Sequence, residues 1–141
     1  LEAVIAAYRA HPQVFAAYAK AEIARTAMPS GDPVKWSVPE RVRASFDPER
    51  PGDLYVVLKP NITPISDTTS YIATHGSVWD YDRRVPILFW RPGMAPNARD
   101  EPIETVDIMP SLAAVLDLRG IASPVDGRCL AAIAGPACGT R

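Results

Sequence analysis

The residues best suited to chemistry lie in one short polar loop, Thr74-His75-Gly76-Ser77. A neutral imidazole is a good zinc ligand, and the neighbouring glycine lets backbone and ligand approach closely. One imidazole cannot hold a catalytic metal by itself, because catalytic zinc takes about three protein ligands. The loop therefore predicts either one ligand of a larger site or a histidine that only makes an ordinary hydrogen bond.

Two aspartates follow this loop, Asp80 and Asp82. Asp-x-Asp occurs in cation sites, but these carboxylates can equally bond nearby backbone or pair with the two arginines that follow them. A metal-binding histidine usually needs partners that orient it. We therefore predict that Thr74, Gly76, Asp80 and Asp82 orient the loop around His75 rather than bind a metal.

The other polar candidates are weaker. His11, the second of the two histidines, precedes a proline where the first helix is expected to end, and a helix-terminal cation is favourable. We predict a structural role for it. Serine and threonine hydroxyls are present, but none has a visible base beside it. We therefore assign no catalytic nucleophile to this chain.

The two cysteines, Cys129 and Cys138, lie nine positions apart in a tail rich in glycine, proline and alanine. In an oxidising compartment a disulfide between them is predicted, and two free thiols are the alternative. A zinc pair is not expected, because no further cysteine and no nearby histidine completes a four-ligand set.

Composition narrows the class of protein. The chain has 141 residues, a net charge of −1, 48% hydrophobic and 22% charged residues, which suits a globular domain and gives no electrostatic case for nucleic acid. No apolar run approaches the roughly 18 residues that a membrane span needs. Fifteen prolines indicate short elements joined by stiff turns. The sequence begins at Leu1 without an initiator methionine, so we expect a piece of a longer polypeptide.

The hydrophobic pattern predicts several short elements. Residues 2–10 are alanine-rich with apolar residues at helical spacing, and Pro12 predicts that the helix ends before it. Two runs rich in β-branched and aromatic residues predict buried strands, Asp53–Lys59 and Val85–Phe89. Val14–Lys20 is apolar on both faces, so a short strand fits but the period does not decide against a helix.

Three further helices are predicted. A brief one is expected at Glu22–Ala27, and a proline in the first turn opens another over Val38–Phe46. Thr105 is expected to cap a longer helix, Val106–Leu118. Its apolar positions form one stripe, Ile108, Leu112, Val115 and Leu116.

Strands that alternate with helices predict an α/β fold. Two or three strands make a poor free-standing sheet, however. We therefore expect these strands to be the edge of a larger sheet whose other strands lie elsewhere.

The order of five motifs now becomes informative. They are Gly52-Asp53-Leu54-Tyr55-Val56-Val57-Leu58-Lys59-Pro60, Thr74-His75-Gly76-Ser77, Asp80-Tyr81-Asp82-Arg83-Arg84-Val85-Pro86-Ile87, Thr105-Val106-Asp107-Ile108-Met109-Pro110-Ser111-Leu112-Ala113 and Asp126-Gly127-Arg128-Cys129-Leu130. Together they resemble the C-terminal part of bacterial alkaline phosphatases of the type I phosphodiesterase/nucleotide pyrophosphatase branch, most of all the monomeric periplasmic enzymes with a threonine nucleophile. The resemblance is strongest over 51–130, weaker over 1–50, and leaves 131–141 as a tail.

The resemblance implies a fold, a cofactor and a site. The fold would be the C-terminal fragment of an alkaline-phosphatase-like mixed sheet flanked by helices. His75 would be one ligand of a two-zinc centre that hydrolyses phosphate esters, in a periplasmic or secreted enzyme. The nucleophile and most ligands would lie upstream, in the remainder of the parent chain.

Ligand counting then predicts that this chain is inactive alone. One alternative is a catalytically inert binding or interaction domain derived from that fold, and another is a secreted module without metal. Exposed strand edges would also favour a homo-oligomer.

Overall fold

The computed structural model describes residues 1–50, 52–67, 69–118 and 125–139. Residues 51, 68 and 119–124 of the predicted core match therefore lie outside the described part, as do residues 140–141 of the tail. The chain divides into two compact units between Pro86 and Ile87. The α-helices are α1 Glu2–Ala10, α2 Lys20–Arg25, α3 Val38–Ala44, α4 Asp80–Arg83, α5 Ile108–Val115 and α6 Ala131–Ala134; the strands are β1 Val14–Ala19 and β2 Leu54–Leu58; 3-10 turns cover Pro33–Lys35, Thr105–Asp107 and Gly135–Gly139.

The first unit is built around β1 and β2, which pair antiparallel with Ala17 opposite Val56 and Tyr18 opposite Tyr55. The α/β class is thus confirmed, with a sheet of two strands in the described part of the chain. The ends of β1 and β2 lie within one residue of those predicted at Val14–Lys20 and Asp53–Lys59. The apolar character of both strand faces is explained by helices packing against the sheet.

The core of this unit lies on one face of the sheet. Ile23 of α2, Val42 of α3, Val57 of β2 and Val78 form its buried cluster. Ala17 is fully buried where α1 contacts β1. Since side chains alternate along a strand and Ala16 and Tyr18 pack against the cluster, Ala17 lies on the opposite face.

The ends of the helices in the first unit follow local chemistry. Helix α1 ends at Ala10, before Pro12, as predicted. Ser37 and Glu40 form a capping box at the start of α3: the Glu40 carboxylate accepts from the Ser37 backbone N–H at 2.7 Å. Helix α2 begins at Lys20, two residues before the predicted Glu22, and its Glu22 carboxylate accepts from the Ala19 N–H at 2.7 Å.

The prediction of a buried strand at Val85–Phe89 is wrong. This stretch has no strand assignment in the structure, and Val85 and Leu88 are 54% and 89% exposed. A strand needs a neighbour for its backbone N–H and C=O groups. The apolar run indicates a tendency to be buried, but the described residues place no strand beside it.

The helix predicted at Val106–Leu118 is shorter, and its first turn differs. Thr105 lies inside a 3-10 turn, and the Asp107 carboxylate closes that turn by accepting from the Glu104 N–H at 3.1 Å. The apolar stripe is not the side of α5 that its unit buries. Leu112 and Leu116 are exposed, whereas the side of α5 that faces its own unit carries small or polar residues, Pro110, Ser111, Ala113 and Ala114.

Candidate metal-ligand loop

His75 is exposed, on the loop between β2 and α4. The next residue, Gly76, has φ of 99°, a left-handed conformation that strongly favours glycine. An added Cβ there would meet no atom within 4 Å. The space on the Cβ side of Gly76 is therefore open.

The loop is held immediately after Gly76. The Ser77 backbone N–H donates to Asp82 Oδ2 at 2.8 Å, and the Ser77 hydroxyl accepts from the Trp79 N–H at 3.3 Å. Hydrogen bonding from the Ser77 side chain and backbone, with a smaller contribution from the positive charge of His75, lowers the pKa of Asp82. The Asp82 carboxylate of α4 therefore hydrogen-bonds to the backbone at the end of the histidine loop.

Asp80 forms ion pairs on two sides. Its Oδ1 lies 3.1 Å from Arg41 Nη1 and 3.6 Å from Arg83 Nη1. The pairing with Arg83 is the one expected from the sequence, whereas Arg41 comes from a different helix. The loop-orienting roles of Asp80 and Asp82, and those of Thr74 and Gly76, stay predictions.

The base of the loop is also tied to the end of β2. Trp79 Nε1 donates to the Leu58 carbonyl at 3.0 Å, and its ring meets the Phe15 ring edge-on at 5.0 Å between centroids. The Tyr81 hydroxyl accepts from the Asn61 N–H at 3.0 Å. The residues that follow the histidine loop, Trp79 and Tyr81, therefore bond to the end of β2 and the residues after it.

Arg41 is the residue at this site that sequence reasoning missed. It contacts a loop 37 positions away in the chain. The Ser37-x-x-Glu40 pattern could have located the start of its helix, since a capping box is readable from sequence. It could not have indicated which distant carbonyls the guanidinium reaches.

His75 fits one coordination position of a zinc site, because an exposed imidazole beside open space can approach a metal. Among the residues that the structure describes, no group of three or more His, Cys, Asp or Glu could hold a metal ion. His11 lies at the end of α1, where its Nδ1 accepts from the Gln13 N–H at 3.3 Å. The role of His75 as a single ligand of a larger metal site stays a prediction.

The second unit contains a buried polar network. Asp107 is 2% exposed, and its carboxylate accepts from the Arg128 N–H at 2.9 Å. The buried Ser111 hydroxyl donates to the Asp107 carbonyl at 2.7 Å and accepts from the Leu130 N–H at 2.9 Å. Cys129 lies between Arg128 and Leu130 in the sequence and forms a disulfide with Cys138. Such a bond is compatible with an oxidising compartment.

Comparison with known proteins bears on what the loop belongs to. The chain is 53% identical over 120 residues, 85% of its length, to the alkaline phosphatase PhoD of Zymomonas mobilis. It is 53% identical over 129 residues, 90% of its length, to the alkaline phosphatase PhoK of a Sphingomonas species. This chain is similar to alkaline phosphatases. No family model matches it.

The similarity has a clear extent. The chain spans 21% of the PhoD protein and 23% of the PhoK protein, about a fifth of these curated relatives. The resemblance to alkaline phosphatases expected from the order of motifs is confirmed, while the type I phosphodiesterase branch stays a prediction. In the described part of the chain, none of the helices has the length and apolar character to cross a membrane.

Proposed function

We propose that this chain is the C-terminal region of a periplasmic or secreted zinc-dependent alkaline phosphatase/phosphodiesterase that hydrolyses phosphate esters. The observation that carries the proposal is its 53% identity, over 85–90% of its length, to two proteins named as alkaline phosphatases. The chain matches about a fifth of each relative, so the other ligands and the nucleophile belong to the remainder of the parent enzyme.

His75 is the residue that this region contributes to the metal. When bound, two zinc ions in such a site polarise the phosphoryl oxygens and stabilise the attacking and leaving oxygens. The chain's own part is to hold one imidazole at a fixed place. The open surroundings of Gly76 and the bond from Ser77 to Asp82 support this role.

A hybrid enzyme tests the proposal. This chain would replace the matching fifth of Zymomonas PhoD, and hydrolysis of p-nitrophenyl phosphate and zinc content would be measured. We expect an active hybrid. Replacing the His75 ligand by His75→Asn is expected to remove about one zinc ion per chain and to lower kcat at least about 100-fold, since even indirect partners of a ligand affect activity 10–100-fold.

The matched control is His11→Ala, which removes the other histidine of the chain. This variant is expected to keep both zinc and activity. Full zinc occupancy and full activity in the His75→Asn hybrid would contradict the role of His75. A folded hybrid with no activity despite native His75 would count against the parent function.

The second candidate is an inert binding or interaction domain that descends from the same fold. It is favoured by the lack of a ligand cluster in the described residues and by exposed apolar side chains such as Ile72 and Trp90 at 90% and 79%. The hybrid separates the two, because an inert descendant would not restore hydrolysis.

A further inference from the structure

We propose that Arg41 is a positioning residue for His75, because its guanidinium holds the backbone segment that directly follows the histidine loop. The proposal rests on the proposed function for what His75 binds. The contacts that place the loop belong to this chain alone.

The Arg41 side chain is mostly buried, and each of its three guanidinium nitrogens donates a hydrogen bond. Its side chain is 12% exposed, and Nε donates to the Trp36 carbonyl at 2.7 Å. Nη2 donates to the Val34 carbonyl at 3.4 Å. Nη1 donates to the Val78 carbonyl at 3.0 Å and lies 3.1 Å from Asp80 Oδ1. One planar group therefore binds the turn before α3 to the segment that follows the histidine loop.

The connection from Arg41 to His75 is short. Val78, whose carbonyl Arg41 binds, is 7% exposed and belongs to the buried core cluster. Ser77 precedes it and donates its N–H to Asp82. Only Gly76 separates Ser77 from His75. A shift at Val78 would therefore be passed on to His75 through the two backbone residues between them, Ser77 and Gly76.

Arginine suits this position better than lysine. The guanidinium presents donors in a rigid fork and reaches several acceptors at once, whereas a lysine ammonium is a single point charge on a flexible stem. Arg41→Lys keeps the positive charge but cannot serve three carbonyls and a carboxylate together. Arg41→Ala would also leave the Val78 carbonyl without its donor.

The same helix offers a matched control. Arg43 lies two positions along α3, donates from Nε to the Thr26 carbonyl at 3.1 Å and stacks 5.5 Å from the Phe46 ring centre. These contacts lie just after α2 and just after α3, not at the histidine loop. Arg43→Ala therefore removes a comparable guanidinium without touching Val78 or Asp80.

The first test is NMR on the 141-residue chain without metal. In Arg41→Lys and Arg41→Ala we expect the Ser77 amide and His75 ring signals to move, with circular dichroism unchanged for the lysine variant. Arg43→Ala should move the signals near Thr26 and leave those of His75. Unmoved His75 and Ser77 signals in Arg41→Lys, or equal movement in Arg43→Ala, would overturn the proposal. Should Arg41→Ala fail to fold, the lysine variant decides.

The second test separates positioning from the proposed function. In the PhoD hybrid, Arg41→Lys is expected to weaken zinc retention against a chelator about tenfold, the size of effect that indirect ligand support has, and Arg43→Ala to leave it unchanged. If His75→Asn does not release zinc, the proposed function fails while the NMR result still decides positioning. If His75→Asn releases zinc and Arg41→Lys changes neither readout, positioning fails alone.

Discussion

At the scale of single residues, the type of each site residue was readable from the sequence, but its partners were only partly so. The glycine beside the histidine predicted a tight loop that a ligand can approach closely, and Gly76 has a left-handed φ. Asp80 pairs with Arg83 three positions away, which local spacing suggests. Its shorter pairing with Arg41 depends on how α3 packs, and no local pattern encodes that.

Asp82 gives a pH prediction at this scale. Hydrogen bonding from Ser77 lowers the pKa of Asp82. The stability that the Ser77–Asp82 bond contributes is therefore fully present above the ordinary carboxyl range near pH 4, and it is lost as the pH falls through the lower folded pKa. In an NMR titration, the Ser77 amide signal should move with a midpoint below the ordinary value for an aspartate. In Asp82→Asn that acid transition should vanish. A midpoint at or above the ordinary value would show that the Ser77–Asp82 bond is absent in solution.

At the scale of elements, sequence predictions held where one local cause sufficed. The apolar, β-branched run at Leu54–Leu58 forms β2, and proline and a capping box start α3. They failed where burial depends on neighbours. The same kind of run at Val85–Phe89 forms no strand and leaves Val85 and Leu88 exposed, and α5 buries its small residues instead of its leucines.

The α5 result has a physical reason. Ser111 and Asp107 must satisfy the backbone N–H groups of Leu130 and Arg128, which turns that side of the helix towards residues 126–130. The apolar side, with Met109, Leu112 and Leu116, is left exposed. The polar network, rather than the hydrophobic stripe, therefore determines which side of α5 this unit buries.

Gly127 gives a prediction for this network. A Cβ there would overlap the Val106 carbonyl and approach Asp107 N to 2.8 Å, so the backbone could not stay in place. Gly127→Ala should destabilise the second unit by about 1–3 kcal/mol, the usual cost of overpacking. This loss of stability should be measured as faster amide hydrogen exchange in α5. The control is Gly139→Ala, whose added Cβ meets nothing within 4 Å. Equal exchange in both variants would contradict the close packing.

At the scale of the whole molecule, the described residues leave large apolar side chains uncovered. Leu88 and Trp90 are 89% and 79% exposed and lie two positions apart in a stretch without helix or strand assignment. Scattered exposed apolar residues are common, but a contiguous set indicates a surface that associates. The chain matches only about a fifth of its relatives, and the proposed parent enzyme would supply the rest of the sheet.

Association of the isolated chain is the prediction at this scale. Sedimentation velocity should show concentration-dependent oligomers. The double variant Leu88→Glu/Trp90→Glu should raise the dissociation constant at least about tenfold, the effect of roughly 1.4 kcal/mol. Arg91→Glu, in the same exposed stretch, changes charge without removing apolar surface and should have a smaller effect. A monomer at every concentration would contradict the expectation.

The most direct measurement of the central claim is the anomalous scattering of zinc in crystals of the hybrid phosphatase. The account predicts a zinc peak about 2.0–2.1 Å from an imidazole nitrogen of His75, the usual length of such a bond. An imidazole turned away from a fully occupied zinc site, with no metal within bonding distance, would contradict it.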